Sequence, residues 1–326
     1  MDKMVSVIMP AYNAEKWIED AIVGVLVQTY QNFELIVIND GSTDDTEAIC
    51  KRLMQRDKRI RLFSQENKGL CSARNQGLQL SRGDYFIIID SDDLLEPTAL
   101  EKLVKVAEGK GAEIVIAGYW VEEQRTNKKA LRSAGVNFDF VPGGSINTQE
   151  VEKLILSYTI APTWNKLYAI RFTQKRFDTS LAINEDVLFS LETIKAATRV
   201  AVIAEPTYHY ILQNSNSLSS RFHPELPHSL DKIVSVISNG QQKKLRPEIA
   251  RWLLDYWFVY IRQLCQNVAL SEKEKLSYLE LAQKTKVFQH YGNFRYCNST
   301  RRKVSLLFMK AGLNVLCVRW LTRKEK

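Results

Sequence analysis

Cysteine is scarce in this chain. The five present (Cys50, Cys71, Cys265, Cys297 and Cys317) are odd in number and include no CxxC pair. That argues against a disulfide framework or a zinc cluster and fits a reducing cytosol. Only 14 glycines and 8 prolines occur in 326 residues, so collagen-like and low-complexity readings fall away. Long apolar runs are missing as well: the longest, 304 to 321, is broken by Lys310, Asn314 and Arg319. As a membrane span it would carry two charges at about 3 kcal/mol each, so no transmembrane helix is expected. The opening MDKMVSVIMPAYNAEKWIED lacks a signal-peptide core with a cleavage site, and a cytoplasmic location is expected.

With 45% hydrophobic and 25% charged residues the composition is that of a globular protein. At roughly 150 residues per domain, the length suggests about two domains. The net charge of +8 is concentrated at the C-terminus, where residues 301 to 326 carry eight Lys or Arg against Glu325 alone. Mixed with Leu306, Leu307, Phe308, Leu313, Leu316, Trp320 and Leu321, these form a basic amphipathic tail. Such a tail suits an anionic membrane surface on the cytosolic face, or equally a terminal helix completing its own core. Nothing resembles a base-reading module, so no nucleic acid partner is expected. A homo-oligomer stays open.

Along the first half, short β-branched runs alternate with helical stretches. VSVIM (5 to 9), FELIVIN (33 to 39), RIRLFS (59 to 64), DYFIIID (84 to 90) and EIVIAGYW (113 to 120) read as strands. Helices are expected from Asn13, after Ser42 or Thr43, through ARNQGLQL and after Pro97, with residues 124 to 145 as a loop or insertion. This rhythm predicts an α/β fold with a mostly parallel sheet covered on both faces. Beyond about residue 222 the texture becomes helical, and RWLLDYWFVYIRQLCQ (251 to 266) reads as a buried helix. The expected division is 1–222 and 223–326.

Ligands of open parallel sheets bind beyond the carboxyl ends of the strands. Those ends here are Pro10, Ala11, Tyr12 and Asn13; Asn39, Asp40, Gly41 and Ser42; and Asp90, Ser91, Asp92 and Asp93. None is GxGxxG or GxxxxGK[ST], which weakens dinucleotide and NTPase readings. Three carboxylates in four positions after YFIII call for neutralisation, and hard oxygens suit Mg²⁺ or Mn²⁺. The same string also serves as an acidic turn capping the next helix.

The ordered pieces VSVIMPAYN, FELIVINDGSTDDT, NKGLCSARNQGL, GDYFIIIDSDD, APTWNKLYAIRF and NEDVLFS span roughly residues 4 to 220. Together they resemble the inverting family-two glycosyltransferases of the GT-A (Rossmann-like) nucleotide-sugar-binding fold, such as those of bacterial capsule and exopolysaccharide synthesis. The resemblance implies that Pro10, Ala11 and Tyr12 floor the nucleotide and that Asp40 accepts a hydrogen bond from the base, as a uracil would need. Lys68, Arg74 and Asn75 fall on its third motif and would meet the nucleotide, with Arg74 reading equally as a surface or salt-bridging residue. Asp90, Ser91 and Asp92 match the DxD element, with Asp90 and Asp92 as metal ligands to Mn²⁺ or Mg²⁺ and Asp93 behind them. Glu185 and Asp186 match its acidic pair, Asp186 as general base and Glu185 orienting a sugar; the pair also reads as an acidic helix start capped by Asn184.

Trp164, Asn165 and Lys166 would line the sugar or acceptor pocket, although Lys166 and Tyr168 read equally as structural. The stretch 208 to 219 resembles the loop over the donor pyrophosphate but lacks its arginines, leaving His209 as a candidate for the pyrophosphate or metal, equally a packed strand residue, with Ser217 and Ser219 behind it. The implied partners are a nucleotide-diphosphate sugar, most simply a UDP-sugar, and a saccharide or lipid-linked saccharide acceptor. A non-catalytic nucleotide-sugar-binding protein on the same scaffold is the rival reading.

Overall fold

The computed structural model describes residues 3–124, 126–212, 222–238 and 245–322. In chain order the elements are β1 (Val5–Ala11), α1 (Ile18–Leu26), β2 (Phe33–Asp40), α2 (Thr46–Arg56), β3 (Ile60–Gln65), α3 (Leu70–Leu80), β4 (Tyr85–Ile88), β5 (Leu94–Leu95), α4 (Ala99–Lys110) and β6 (Ile114–Glu123). There follow β7 (Lys128–Arg132), β8 (Phe138–Phe140), α5 (Gln149–Leu156), β9 (Lys166–Ala169), α6 (Glu185–Ala196), β10 (Val200–Leu212), α7 (Leu226–Ser238), α8 (Pro247–Gln266), α9 (Glu272–Gln283), α10 (Thr300–Lys310) and α11 (Asn314–Thr322).

The chain divides into two compact units, one of Met1–Ile146, Leu156–Ser180 and Glu185–Gln213, the other of Asn147–Ile155, Leu181–Asn184 and Asn214–Lys326. The first is built on one sheet of order β3-β2-β1-β4-β9-β6-β10-β5, with β7 on β6 and β8 on β10. Apolar residues on α1 recur at Ile18, Ala21, Ile22 and Val25, one stripe at helical spacing that packs with α2 and α4 on one face of the sheet. Strand alternation turns Val5, Val7 and Met9 to that face and Ile8 to the other. On the second face lie α3 and α6: Ala73 packs with Ile36 and Ile38, while Tyr168 stacks on Phe86 at 5.0 Å and meets Phe189 edge-on at 5.8 Å.

Several expectations are corrected. The sheet is mixed: β3, β2, β1 and β4 run parallel, as do β6 and β10, but β9 lies antiparallel between β4 and β6. Residues 124 to 145 are not simply loop, since β7 pairs with β6 and β8 with β10. Every residue of β7 is exposed, so no apolar alternation marked it; the partner strand's edge makes it a strand. Asn13 opens no helix. It has φ 49°, its side chain accepts from the Thr43 amide at 2.9 Å, and α1 starts at Ile18. Ser42 likewise accepts from the Asn13 amide at 3.0 Å, and Asp44, rather than Ser42 or Thr43, receives the Thr46 amide at 3.0 Å where α2 begins.

In the second unit, α8 buries Ile249, Leu253, Trp257, Ile261 and Leu264 along one face, as expected of a buried helix. The Trp257 indole donates to the Ala282 carbonyl at 3.1 Å, satisfying the one polar group of that ring. Ser271 and Glu274 form a reciprocal cap at the start of α9. The basic tail is two helices rather than one, separated at Gly312 (φ 72°).

At Gly77 the helix α3 approaches β1 so closely that a Cβ would lie 2.2 Å from Ile8 Cγ2. Gly77→Ala is expected to cost about 1–3 kcal/mol in denaturant unfolding. The cost should shrink in an Ile8→Ala background, because that change removes the clashing methyl; equal costs in both backgrounds would place the strain elsewhere.

Candidate active site

The carboxyl ends of β1 and β2 are laced together before any ligand is considered. The Ala14 amide donates to Thr46 Oγ1 at 2.7 Å and the Glu15 amide to Asp44 at 3.1 Å, beside the Asn13 bonds above. Pro10 and Ala11 are buried in β1, and Tyr12 stands on this base 51% exposed, with its ring open to stacking. Gly41 (φ 71°) turns the chain where a Cβ would lie 2.7 Å from the Asn67 amide nitrogen, so only glycine lets the two loops meet.

Asp40 is 3% exposed and already engaged. Its carboxylate accepts from the Lys68 amide at 2.9 Å, the Gly69 amide at 2.8 Å and the Gln65 side chain at 2.5 Å. Three of about four acceptor positions are used, and they fix the chain entering α3. Lys68 keeps its own side chain exposed.

One turn into α3, Arg74 is buried with its side chain 4% exposed. Its guanidinium donates to Asp90 at 3.1 Å and to Glu185 at 3.0 Å and lies 5.3 Å from the centre of the Phe177 ring. The end of β4 and the start of α6 are thereby joined through one cation. Asn75, next in sequence, does something different. Its amide exchanges two hydrogen bonds with the Phe177 backbone, at 2.8 and 2.9 Å, and so braces the wall behind Arg74 instead of facing a ligand.

Beyond β4 the turn carries Asp90, half-buried Ser91, Asp92 and Asp93. Asp93 points inward, accepting from the Tyr208 hydroxyl at 2.8 Å and the Ile211 amide at 2.8 Å; the same hydroxyl accepts from the Asp90 amide at 3.1 Å. Burial, and then the charges of Asp90 and Asp92, push the Asp93 carboxyl well above the usual range. Asp92 is pushed up to about 6 by burial and then by Asp90. Apart from its own backbone N–H, the Asp92 carboxylate has no donor or cation among the described residues.

Glu185 and Asp186 open α6. Before them Asn184 takes the left-handed region at φ 64°, which asparagine tolerates, and its amide donates to Ser229 at 3.0 Å. Asp186 accepts the Val187 amide at 2.7 Å. Its carboxyl is pushed up to about 7, by burial and then by Glu185, against the opposing pull of Arg74 and Lys166.

The WNK segment is placed differently from a pocket lining. Trp164 is buried and stacks on Tyr208 at 4.3 Å and Tyr210 at 5.4 Å, with Tyr119 edge-on at 4.7 Å. Asn165 donates to the carbonyls of Ala117 at 3.0 Å and Thr159 at 3.2 Å. The Lys166 ammonium is fully buried, donating to Thr159 O at 2.9 Å, to Asn165 Oδ1 at 2.8 Å and to the Pro162 carbonyl. Burial pushes this ammonium well down, and the nearby Asp186 charge opposes that shift. His209, opposite Leu94 in the sheet, pairs with Glu122 at 2.5 Å and Glu96 at 3.0 Å rather than with the acids of the turn. Ser217 and Ser219 lie outside the described residues.

Sequence reasoning missed Tyr208 as the bridge between Asp90 and Asp93. The alternation of Tyr208 and Tyr210 along one side of a strand was the available signal. Together, Arg74, Asp90, Glu185 and Asp186 form a compact group whose acids come from two distant segments, beside the uncompensated Asp92 and within the field of Lys166.

This sheet is a GT-A fold. It superposes on residues 1–349 of TarS from Staphylococcus aureus, crystallised with UDP-GlcNAc, with a TM-score of 0.72 at 21% identity, covering 98% of this chain and 90% of that one. The model of Glycosyl transferase family 2 matches residues 6–174. The chain is 31% identical over 236 residues to the uncharacterized glycosyltransferase EpsJ of Bacillus subtilis, covering 71% of this chain and 68% of the relative. It is 28% identical over 227 residues to GlyG of Streptococcus pneumoniae serotype 4, covering 68% and 75%. The chain belongs to glycosyl transferase family 2, and its activity class is glycosyl transfer.

The crowding of carboxylates has a measurable cost. Asp92 titrates higher folded than unfolded, so the folded state holds the extra proton between pH 4 and about 6, and charging Asp92 above that range destabilises the fold. Asp92→Asn should therefore raise the melting temperature at pH 8, on the order of 1–3 kcal/mol of stability, and leave it unchanged near pH 4. A variant less stable than the parent at pH 8 would show that Asp92 is already compensated.

Proposed function

We propose that this chain is an inverting, divalent-metal-dependent glycosyltransferase that moves a sugar from a UDP-sugar to a saccharide or lipid-linked saccharide of a bacterial surface polysaccharide. The observation that carries this reading is the Arg74 bridge. It sets Asp186, tuned to about 7, within one buried charge network with the Asp90–Asp92 turn. The UDP-GlcNAc held by the S. aureus neighbour supports a uridine donor.

In this mechanism Asp186 takes the proton of the acceptor hydroxyl as that oxygen attacks the anomeric carbon. The bond from that carbon to the nucleoside diphosphate breaks on the opposite side, which inverts the centre. A carboxyl near 7 is matched to this work, since a base tuned close to the working pH combines availability with proton affinity. Glu185, held by Arg74, orients sugar hydroxyls. Tyr12 stacks with the base, and the last acceptor position of Asp40 receives its N–H.

Among the described residues no three His, Cys, Asp or Glu side chains are arranged to hold an ion unaided. The uncompensated Asp92 beside Asp90 fits the other common arrangement, one or two carboxylates completed by substrate phosphates. Asp90 and Asp92 would hold Mn²⁺ or Mg²⁺, which when bound neutralises charge on the departing diphosphate.

With acceptor supplied, Asp186→Asn should bind UDP like the parent and lose about 10²- to 10⁴-fold in transfer rate. In the parent, kcat/KM should rise with pH through an apparent pKa near 7, because the base must be ionised. Transfer by the variant within a few-fold of the parent would remove Asp186 from the role and leave Glu185 as the next base to test.

Calorimetry tests the metal assignment separately. UDP should bind more tightly with Mn²⁺ than without, and Asp92→Asn should abolish that difference. An unchanged metal dependence would move the ion elsewhere.

A further inference from the structure

The last two helices of the second unit have two apolar faces, and only one is used. Leu306, Met309, Cys317, Val318 and Leu321 are buried, which satisfies the core-completing reading of the tail. Leu307, Leu313, Leu316 and Trp320 stay 55%, 45%, 46% and 39% exposed. Large apolar side chains left in water together, on adjoining helices, mark an interaction face. The Phe308 and Trp320 rings lie 6.4 Å apart across the pair, which sets the side of α11 carrying Trp320 against α10.

Charge decides the occupant. No Asp or Glu occurs between Glu280 and Glu325, whereas ten Lys or Arg do. Lys303 and Lys310 are exposed on α10, the latter 6.0 Å above the ring of half-exposed Phe294; Arg319 on α11 pairs at 3.2 Å with exposed Glu272. A second copy meeting this face about a two-fold axis would set like charges against like. A nucleic acid would satisfy the cations but leave the leucines and Trp320 in water. An anionic lipid surface takes both, the apolar side chains entering the interface and the cations meeting headgroups.

We infer that the outward face of α10 and α11, through Leu307, Leu313, Leu316 and Trp320 with Lys303 and Lys310, docks the protein on an anionic lipid bilayer. No helix among the described residues is long and apolar enough to span a membrane, and this face would lie on the bilayer surface. It does not depend on the catalytic assignments, and vesicle partitioning reads it without activity.

Full-length protein is sedimented with phosphatidylcholine vesicles with and without one third phosphatidylglycerol. The parent should bind only the anionic vesicles, and raised salt should weaken binding. Leu316→Ser/Trp320→Ser, at exposed positions, should lower partitioning roughly tenfold or more. Lys303→Glu/Lys310→Glu should also lower it, with melting temperatures unchanged in both variants. Equal partitioning of parent and variants overturns the inference, as does a parent that ignores anionic vesicles. A parent that dimerises without lipid while Leu316→Ser/Trp320→Ser stays monomeric would assign the face to a second copy and overturn it too.

Discussion

The arrangement of the site depends on one buried guanidinium. Arg74 is the cation that meets both Asp90, at the end of β4, and Glu185, at the start of α6. Removing one partner of such a pair costs about 3–5 kcal/mol, because the others stay buried and charged. The position of Arg74 depends in turn on Asp40, which fastens the chain entering α3 through two backbone amides. The Arg74 Nε has no partner among the described residues, so the side chain is not held for hydrogen-bond saturation. It holds two acidic segments at a set distance and restrains the pKa of Asp186.

Crowded acids are poor for folding and useful for chemistry. Asp92, Asp93 and Asp186 all titrate above their ordinary range because burial and like charge oppose ionisation. Tyr208 and the Ile211 amide meet part of this cost at Asp93, and Arg74 meets part at Asp90 and Glu185. What is left falls on Asp92 and Asp186, the two positions proposed above to meet a cation and a proton.

Much of this was legible in the sequence. The β-branched runs and their spacing announced β1 to β4, and the acids clustered where an α/β sheet presents ligands. Three features were hidden, each for a physical reason. Strand β7 is exposed on both faces and carries no alternation, so its pairing comes from β6. The WNK segment reads locally as polar and aromatic, with a structural role open only for Lys166, and it takes the partners Ala117, 48 residues from Asn165, and Thr159 to reveal that Asn165 and Lys166 serve backbone carbonyls inside the fold. For Arg74 a salt bridge and a nucleotide contact were both open readings, and nothing local shows which acids it meets, since they lie 16 and 111 residues away.

The antiparallel β9 also bears on how the protein is made. Strands β1 to β4 are complete once residue 88 has emerged, but the neighbour that covers the other edge of β4 ends only at residue 169, 81 residues later. At about 5–20 residues per second, β4 waits roughly 4–16 s on the ribosome with an open edge of buried-type side chains, Phe86, Ile87 and Ile88. An open apolar edge is a template for pairing with another chain. The nascent protein therefore carries an unpaired edge during that interval, a hazard set by where one four-residue strand falls in the reading order.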